Sequence, residues 1–237
     1  MSCRVLLATV LGGLICATLP AAPITGTFNI AGTITVTPTD ITWQLNTAPF
    51  TADEATIGPG STGSFSGLDG TTVSIADLNN AAQPVGTTFP NKPFIGFLAN
   101  PSLPTLDINF IFPGIYSSSQ CASLPATVGQ TCSLGGSPFN FVNNPPPAPA
   151  GPQATATFAF TGVTSDGLEN WQGNFTSQFT VPYQTILAQL GTTGSVTNTF
   201  SATFTLSPAG QVPEAGTMSL LGLGLVGLSM KLRRRRL

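Results

Sequence analysis

Between residues 195 and 206 the side chains alternate: Val196, Phe200, Ala202, Phe204 and Leu206 share one parity, and Thr197, Thr199, Ser201, Thr203 and Thr205 the other. A period of two is what an extended strand produces, because successive side chains point to opposite faces, and a helix would scatter the same residues around its circumference. One face must pack and the other must meet water. Residues 154–160 repeat the pattern with Ala156, Phe158 and Phe160 on one side, and Trp171, Phe175 and Phe179 share a parity across residues 171–180. These segments read as neighbouring antiparallel strands with hydroxyl-rich outer faces.

Residues 26–31, 33–37, 40–45, 71–75, 94–98 and 106–112 are further strand candidates, each bounded by Gly, Pro, Asn or Asp. Short strands with turn signals between them are solved by a sandwich or a barrel. The expected class is all-β, an antiparallel β-sandwich of jelly-roll or immunoglobulin-like style with one or two short helices. Residues 75–79 could make a single helical turn, and residues 182–190 a short helix with Pro182 in its first turn and Gly191 past its end. The segment 143–152, Asn-Asn-Pro-Pro-Pro-Ala-Pro-Ala-Gly-Pro, is expected to stay out of any sheet as an exposed polyproline loop within a single domain. No fixed-period repeat occurs, which argues against solenoids and propellers.

The charge distribution narrows the partners. Residues 23–211 hold one base, Lys92, against eight acids, a net charge of −7. Nucleic acid is disfavoured, because neutralising phosphates requires clustered Lys and Arg. With charged residues at only 7% of the chain, solubility must rest on Thr, Ser, Asn, Gln and Gly, while sixteen Phe supply a core that a disordered segment would lack.

The N-terminus reads as an export signal. Arg4 precedes an apolar stretch over residues 5–19 and then the small residues Ala21 and Ala22, so residues 1–22 have the layout of a signal peptide with cleavage expected between Ala17 and Ala22. Cys3 and Cys16 would leave with it. The remaining pair, Cys121 and Cys132, is most simply a disulfide in an exported domain, closing a short loop worth roughly 2–3 kcal/mol on the chain-entropy model.

Catalytic machinery is hard to find. The chain has no histidine, which removes the commonest general base, metal ligand and activator of a nucleophile. The carboxylates to consider are the Asp53-Glu54 pair in a Gly- and Pro-bounded loop, Asp69, Asp77, and Asp166 with Glu169 in a solvated hairpin turn. A hydrolase would need two of them across a cleft. Loop carboxylates and Asn side chains could also hold Ca²⁺, although no Asp-x-Asp-x-Asp-Gly loop is present. Trp43, Trp171, Tyr116 and Tyr183 could stack on sugars, but Trp171 shares parity with core Phe residues and Trp43 sits mid-strand. No phosphate loop, nucleophile elbow or zinc spacing occurs. The expectation is a protein that is not an enzyme and needs no cofactor, with a carbohydrate-binding module, aromatic or Ca²⁺-dependent, as the alternative.

The C-terminus is built differently. Val212, Pro213 and Glu214 form a turn-prone element ahead of an apolar run that includes Gly216, Thr217, Leu220, Leu221, Leu223, Leu225, Val226, Leu228 and Met230. Lys231, Arg233, Arg234, Arg235 and Arg236 follow. Residues 216–230 would make about 22 Å of helix at 1.5 Å per residue, a minimal span against about 30 Å of hydrocarbon. Arginines stay cytoplasmic by the positive-inside rule, which puts the acidic domain on the periplasmic side of the inner membrane, as the signal peptide requires.

This order of motif, apolar helix and terminal arginines resembles the PEP-CTERM sorting domain of exported Gram-negative proteins, with Ala215 in place of the second Pro of the usual Pro-Glu-Pro. The resemblance covers residues 212–237 and leaves the family of residues 23–211 unassigned. It implies recognition at Pro213 and Glu214 by an exosortase, a transpeptidase-like membrane enzyme. It further implies transient anchoring, then release or transfer to the cell surface, often with exopolysaccharide.

Overall fold

A computed structural model describes residues 23–48, 51–145 and 153–210. The expected signal peptide (1–22), most of the Pro-rich loop and the sorting tail with its expected membrane helix (212–237) lie outside the described residues. In chain order the strands are β1 (Gly26–Val36), β2 (Asp40–Gln44), β3 (Glu54–Ile57), β4 (Thr72–Ile75), β5 (Leu78–Asn79), β6 (Lys92–Phe97), β7 (Leu106–Ile111), β8 (Thr131–Cys132), β9 (Asn140–Asn144), β10 (Gln153–Thr164) and β11 (Glu169–Phe179). Helix α1 (Tyr183–Thr193) and β12 (Val196–Pro208) follow.

Eight of these strands close on themselves in the order β11-β12-β1-β3-β4-β6-β7-β10, with β10 pairing back onto β11, and every pairing is antiparallel. The expected sandwich is therefore a closed barrel with additional strands. Inward-outward alternation is the same in both architectures, so the pattern could not separate them. What decides is that β11 is hydrogen-bonded along both sides, to β10 and to β12, leaving no sheet edge where a sandwich would have one.

Local readings are corrected in several places. The candidates at 26–31 and 33–37 are one strand, β1, whose inward residues Phe28, Ile30 and Ile34 are buried. The turn expected at 75–79 is the end of β4 and the short strand β5, which pairs β2. Helix α1 runs past Gly191 to Thr193, with Pro182 as its N-cap residue and Gly194 as its left-handed C-cap. Asn143 and Asn144, assigned above to the Pro-rich loop, pair with Ala154 and Gln153 in the sheet. Glu54 opens β3 instead of lying in a loop.

At one end the barrel splays. Residues 33–36 of β1 pair β2 while Ile30 and Ala31 pair β3, and residues 153–157 of β10 pair β9 while residues 160–164 pair β7. Both forks face the end at which α1 joins β11 to β12. Elsewhere the interior is close-packed with rings: Phe28 stacks on Phe204 at 4.9 Å, Trp43 meets Phe200 edge-on at 4.9 Å, and Phe94 lies parallel to Trp171 at 6.2 Å. Aromatic pairs at such spacings add about 0.5–1.5 kcal/mol each beyond their burial.

Candidate functional site

The described chain begins and ends on the same side of the barrel. Gly26 of β1 pairs Leu206 of β12, and the amide of Ile24 donates to Glu169 Oε1 at 2.7 Å while that of Ala209 donates to the Leu168 carbonyl. The segments that follow the proposed signal peptide and precede the sorting tail therefore meet at the β10–β11 hairpin. The sorting residues Val212, Pro213 and Glu214, the apolar run and the arginines are outside the described residues. Among the described residues no helix is long and apolar enough to cross a membrane.

The acidic candidates do not assemble. Among the described residues no group of three or more Asp, Glu or Cys side chains converges where a metal ion could sit. Asp69 accepts the amides of Gly60 and Ser61 and ties a loop together. Asp166 accepts the Leu168 amide in the hairpin turn, but Glu169, expected to be solvated with it, is buried at 1% exposure. Its two carboxylate oxygens are taken by the Ile24 amide and the Thr164 hydroxyl. Glu169 therefore fastens the fold, and the solvated-turn expectation fails because the chain's first described segment crosses over it.

Besides Asp166 and Glu169, which share the Thr164 hydroxyl, Asp53 and Asp77 are carboxylates that meet. Burial, and next the repulsion of the neighbouring Asp53, hold the Asp77 carboxyl above its ordinary range. Asp77 Oδ1 accepts the Trp43 amide at 3.2 Å and its backbone carbonyl accepts from the Lys92 ammonium. Asp53 itself has φ +58°, the left-handed region that Asp tolerates better than most residues. Both residues are solvent-exposed, Asp53 just ahead of β3 and Asp77 between β4 and β5, and neither lines the cavity described below.

The aromatic platform loses its tryptophans. Trp43 and Trp171 are each 2% exposed, with indole N–H groups donating to the Ala76 carbonyl and to the Asp107 and Val163 carbonyls. Tyr183 is fully buried, and its hydroxyl accepts the Ala122 amide. Tyr116 alone of the four is partly exposed. Cys121 and Cys132 are joined as a disulfide that ties the loop after β7 to β8.

Two features were not read from the sequence. The first is a cavity of about 570 Å³ at the splayed end, walled by β1, β2, β9, β10, β11, α1 and β12. Small inward residues at one end of β10, Ala154 and Ala156 ahead of Phe158 and Phe160, are the signal that could have revealed it. The second is a buried amide cluster: Asn143 donates to Gln184 at 2.9 Å and Gln184 to Gln130 at 2.6 Å, while Asn143 accepts the Tyr183 amide. It locks the start of α1 onto β9.

No curated protein and no solved structure matches this chain. A family model does: the PEP-CTERM protein-sorting motif, over residues 211–236. The chain thus carries a PEP-CTERM sorting motif at its C-terminus, which implies export, transient membrane anchoring through that end and processing by exosortase, a membrane enzyme.

Proposed function

We propose that this is a non-enzymatic surface or extracellular-matrix protein, delivered by a removable signal peptide and an exosortase-cleaved tail, whose barrel associates with exopolysaccharide. The match at residues 211–236 carries the reading. Three further observations support it. The domain's net charge of −7 disfavours anionic partners such as nucleic acid. None of the carboxylates considered as catalytic candidates, Asp53, Glu54, Asp69, Asp77, Asp166 and Glu169, lines the cavity. The outer face of β1 and β12 is a run of cross-strand hydroxyl and amide pairs: Thr27 with Thr205, Asn29 with Thr203, Thr33 with Thr199 and Thr35 with Thr197. Two of these pairs bond directly, Thr35 to Thr197 at 2.8 Å and Thr203 to Asn29 at 2.7 Å. Such a face offers donors and acceptors to a neutral polymer at little desolvation cost.

The decisive experiment is intact-mass and peptide mass spectrometry of protein recovered from the surface and matrix fractions. The reading requires a C-terminus lacking Arg233–Arg236. Surface-located protein that retains all four arginines would refute the processing step, and failure to co-sediment with native exopolysaccharide would remove the matrix association alone.

A further inference from the structure

Protein interiors pack like organic crystals and rarely keep voids much larger than a water molecule. Against that rule, the splayed end of this barrel holds a cavity of about 570 Å³ that opens to the surface, inside the range of about 300–1,000 Å³ typical of small-molecule sites. Its wall is overwhelmingly hydrocarbon, formed by Ile34, Ile41, Phe141, Ala156, Ile186 and Val196 among others, with Leu187 and Leu190 of α1 over it. Apolar cavities of this kind exclude water and take up apolar guests.

We propose that this cavity is a binding site for a small, uncharged, predominantly hydrocarbon molecule. The polar groups at its rim select against an anionic head group. The Asp40 carboxyl lines the rim, and hydrogen bonds from the Thr39 hydroxyl and then the Asn79 amide hold it below the ordinary carboxylate range. It is therefore ionised at neutral pH and repels a fatty acid's carboxylate. Asn79 and Asn198 are committed to protein partners, Asp40 and Ser177. Lys92, the base of the described residues, is held by the Asp77 carbonyl and by Gln83 at 3.4 Å. Among the described residues, no rim group is left to neutralise an acid.

Both described ends of the chain lie at the opposite end of the barrel. Val196, where β12 begins, lines the cavity, whereas Pro208 at its other end lies beside Glu169. A strand of 13 residues puts about 40 Å between them at about 3.3 Å per residue. The first described residues, tied to Glu169, are equally distant. The concave shape, lined by strands, one face of α1 and the loop at residues 134–138, suits a small molecule and not the flat face of a second copy.

The test is titration of the purified full chain with N-phenyl-1-naphthylamine, an uncharged naphthyl probe, followed by fluorescence. Saturable binding at one site per chain is expected, with an upward shift of the thermal midpoint on loading. Ala156→Phe, which fills the cavity from β10, should weaken binding at least tenfold without lowering the midpoint of the unloaded protein. Leu190→Trp, on the covering helix, should weaken it likewise and decides the matter if the first variant does not fold. The anionic probe 8-anilinonaphthalene-1-sulfonate should bind at least tenfold more weakly. Absence of saturable binding to the wild type overturns the proposal, as does unchanged binding by folded Ala156→Phe or Leu190→Trp, which would put the probe elsewhere, including on the apolar tail. Equal affinity for the sulfonate overturns the uncharged-ligand assignment.

Discussion

Gly173 stands directly across the β10–β11 ladder from Phe160, and a methyl group added to it would fall well inside the contact surface of the Phe160 ring. One rung away, Gly162 faces Trp171, and a methyl group there would meet the Asp107 carbonyl first and the Trp171 ring next. Each inward-facing glycine is the counterpart of a ring that would otherwise not fit inside a narrow barrel, the small-against-large alternation that such interiors require. Gly173→Ala should therefore destabilise by about 1–3 kcal/mol through overpacking. Urea unfolding reads this directly. The double variant Gly173→Ala with Phe160→Leu should recover part of the loss, since the ring that clashes is gone, and strict additivity of the two changes would count against the pairing.

Asp77 should shape the pH dependence. Burial first and the Asp53 repulsion second raise its folded pKa above the 3.8 of the free side chain. The folded state therefore keeps the proton more tightly than the unfolded chain does, and stability from this group is full below that value and falls as pH rises through the folded pKa. Asp77→Asn can still accept the Trp43 amide and stays neutral throughout. Relative to wild type it should be near neutral at pH 3 and more stable at pH 7, by under about 1 kcal/mol because the site is mostly solvated. Paired melts at the two pH values check the sign, and a variant less stable at pH 7 than at pH 3 relative to wild type would contradict it.

Much of this fold was legible because long strands carry their own pattern. The alternation of residues 196–206 and 154–160 predicted which side chains are buried, and Phe158, Phe160, Phe200, Ala202, Phe204 and Leu206 are all inside. Among strands of two to five residues only β2 and β4 were anticipated; β3, β5, β8 and β9 exist because a neighbour offers a ladder, which is a tertiary fact. Closure of the barrel was illegible for the same reason. Glu169 reads as a turn acid until the segment around Ile24 is laid over it, and the cavity depends on how two forks diverge, which no single segment records. The sorting tail is the opposite case, since a linear motif read by a membrane enzyme has to be legible locally.

The Cys121–Cys132 bridge closes an 11-residue separation, for which chain entropy predicts about 2–3 kcal/mol. Cys132 is fully buried while Cys121 is partly so. Replacing both by Ser should lower stability by about that amount, and replacing both by Ala slightly less, because a serine in place of Cys132 would bury a hydroxyl. Thermal melts with and without reductant should place the reduced wild type between oxidised wild type and the Ser pair. An unchanged midpoint on full reduction would show that the loop after β7 is held by its other contacts, including the Tyr183 hydroxyl to Ala122.

Glu169 joins the two ends of the exported domain. Its Oε1 accepts the Ile24 amide at 2.7 Å and its Oε2 the Thr164 hydroxyl at 2.8 Å, while its own amide donates to the Thr164 oxygen at 3.1 Å. Glu169→Leu keeps the volume but orphans the Ile24 amide beside an apolar side chain, and a buried donor without a partner costs about 1–3 kcal/mol. Glu169→Gln retains one carbonyl for Ile24, and the Thr164 hydroxyl can turn to Asp166, which already lies 2.6 Å away. The glutamine variant should thus stay within about 1 kcal/mol of wild type. Hydrogen exchange gives the readout that global stability lacks: the Ile24 amide should lose protection in the leucine variant and keep it in the glutamine variant. Protection that survives in Glu169→Leu would mean the first strand is held by its ladders alone, and that the carboxylate contributes nothing to seating the segment around Ile24.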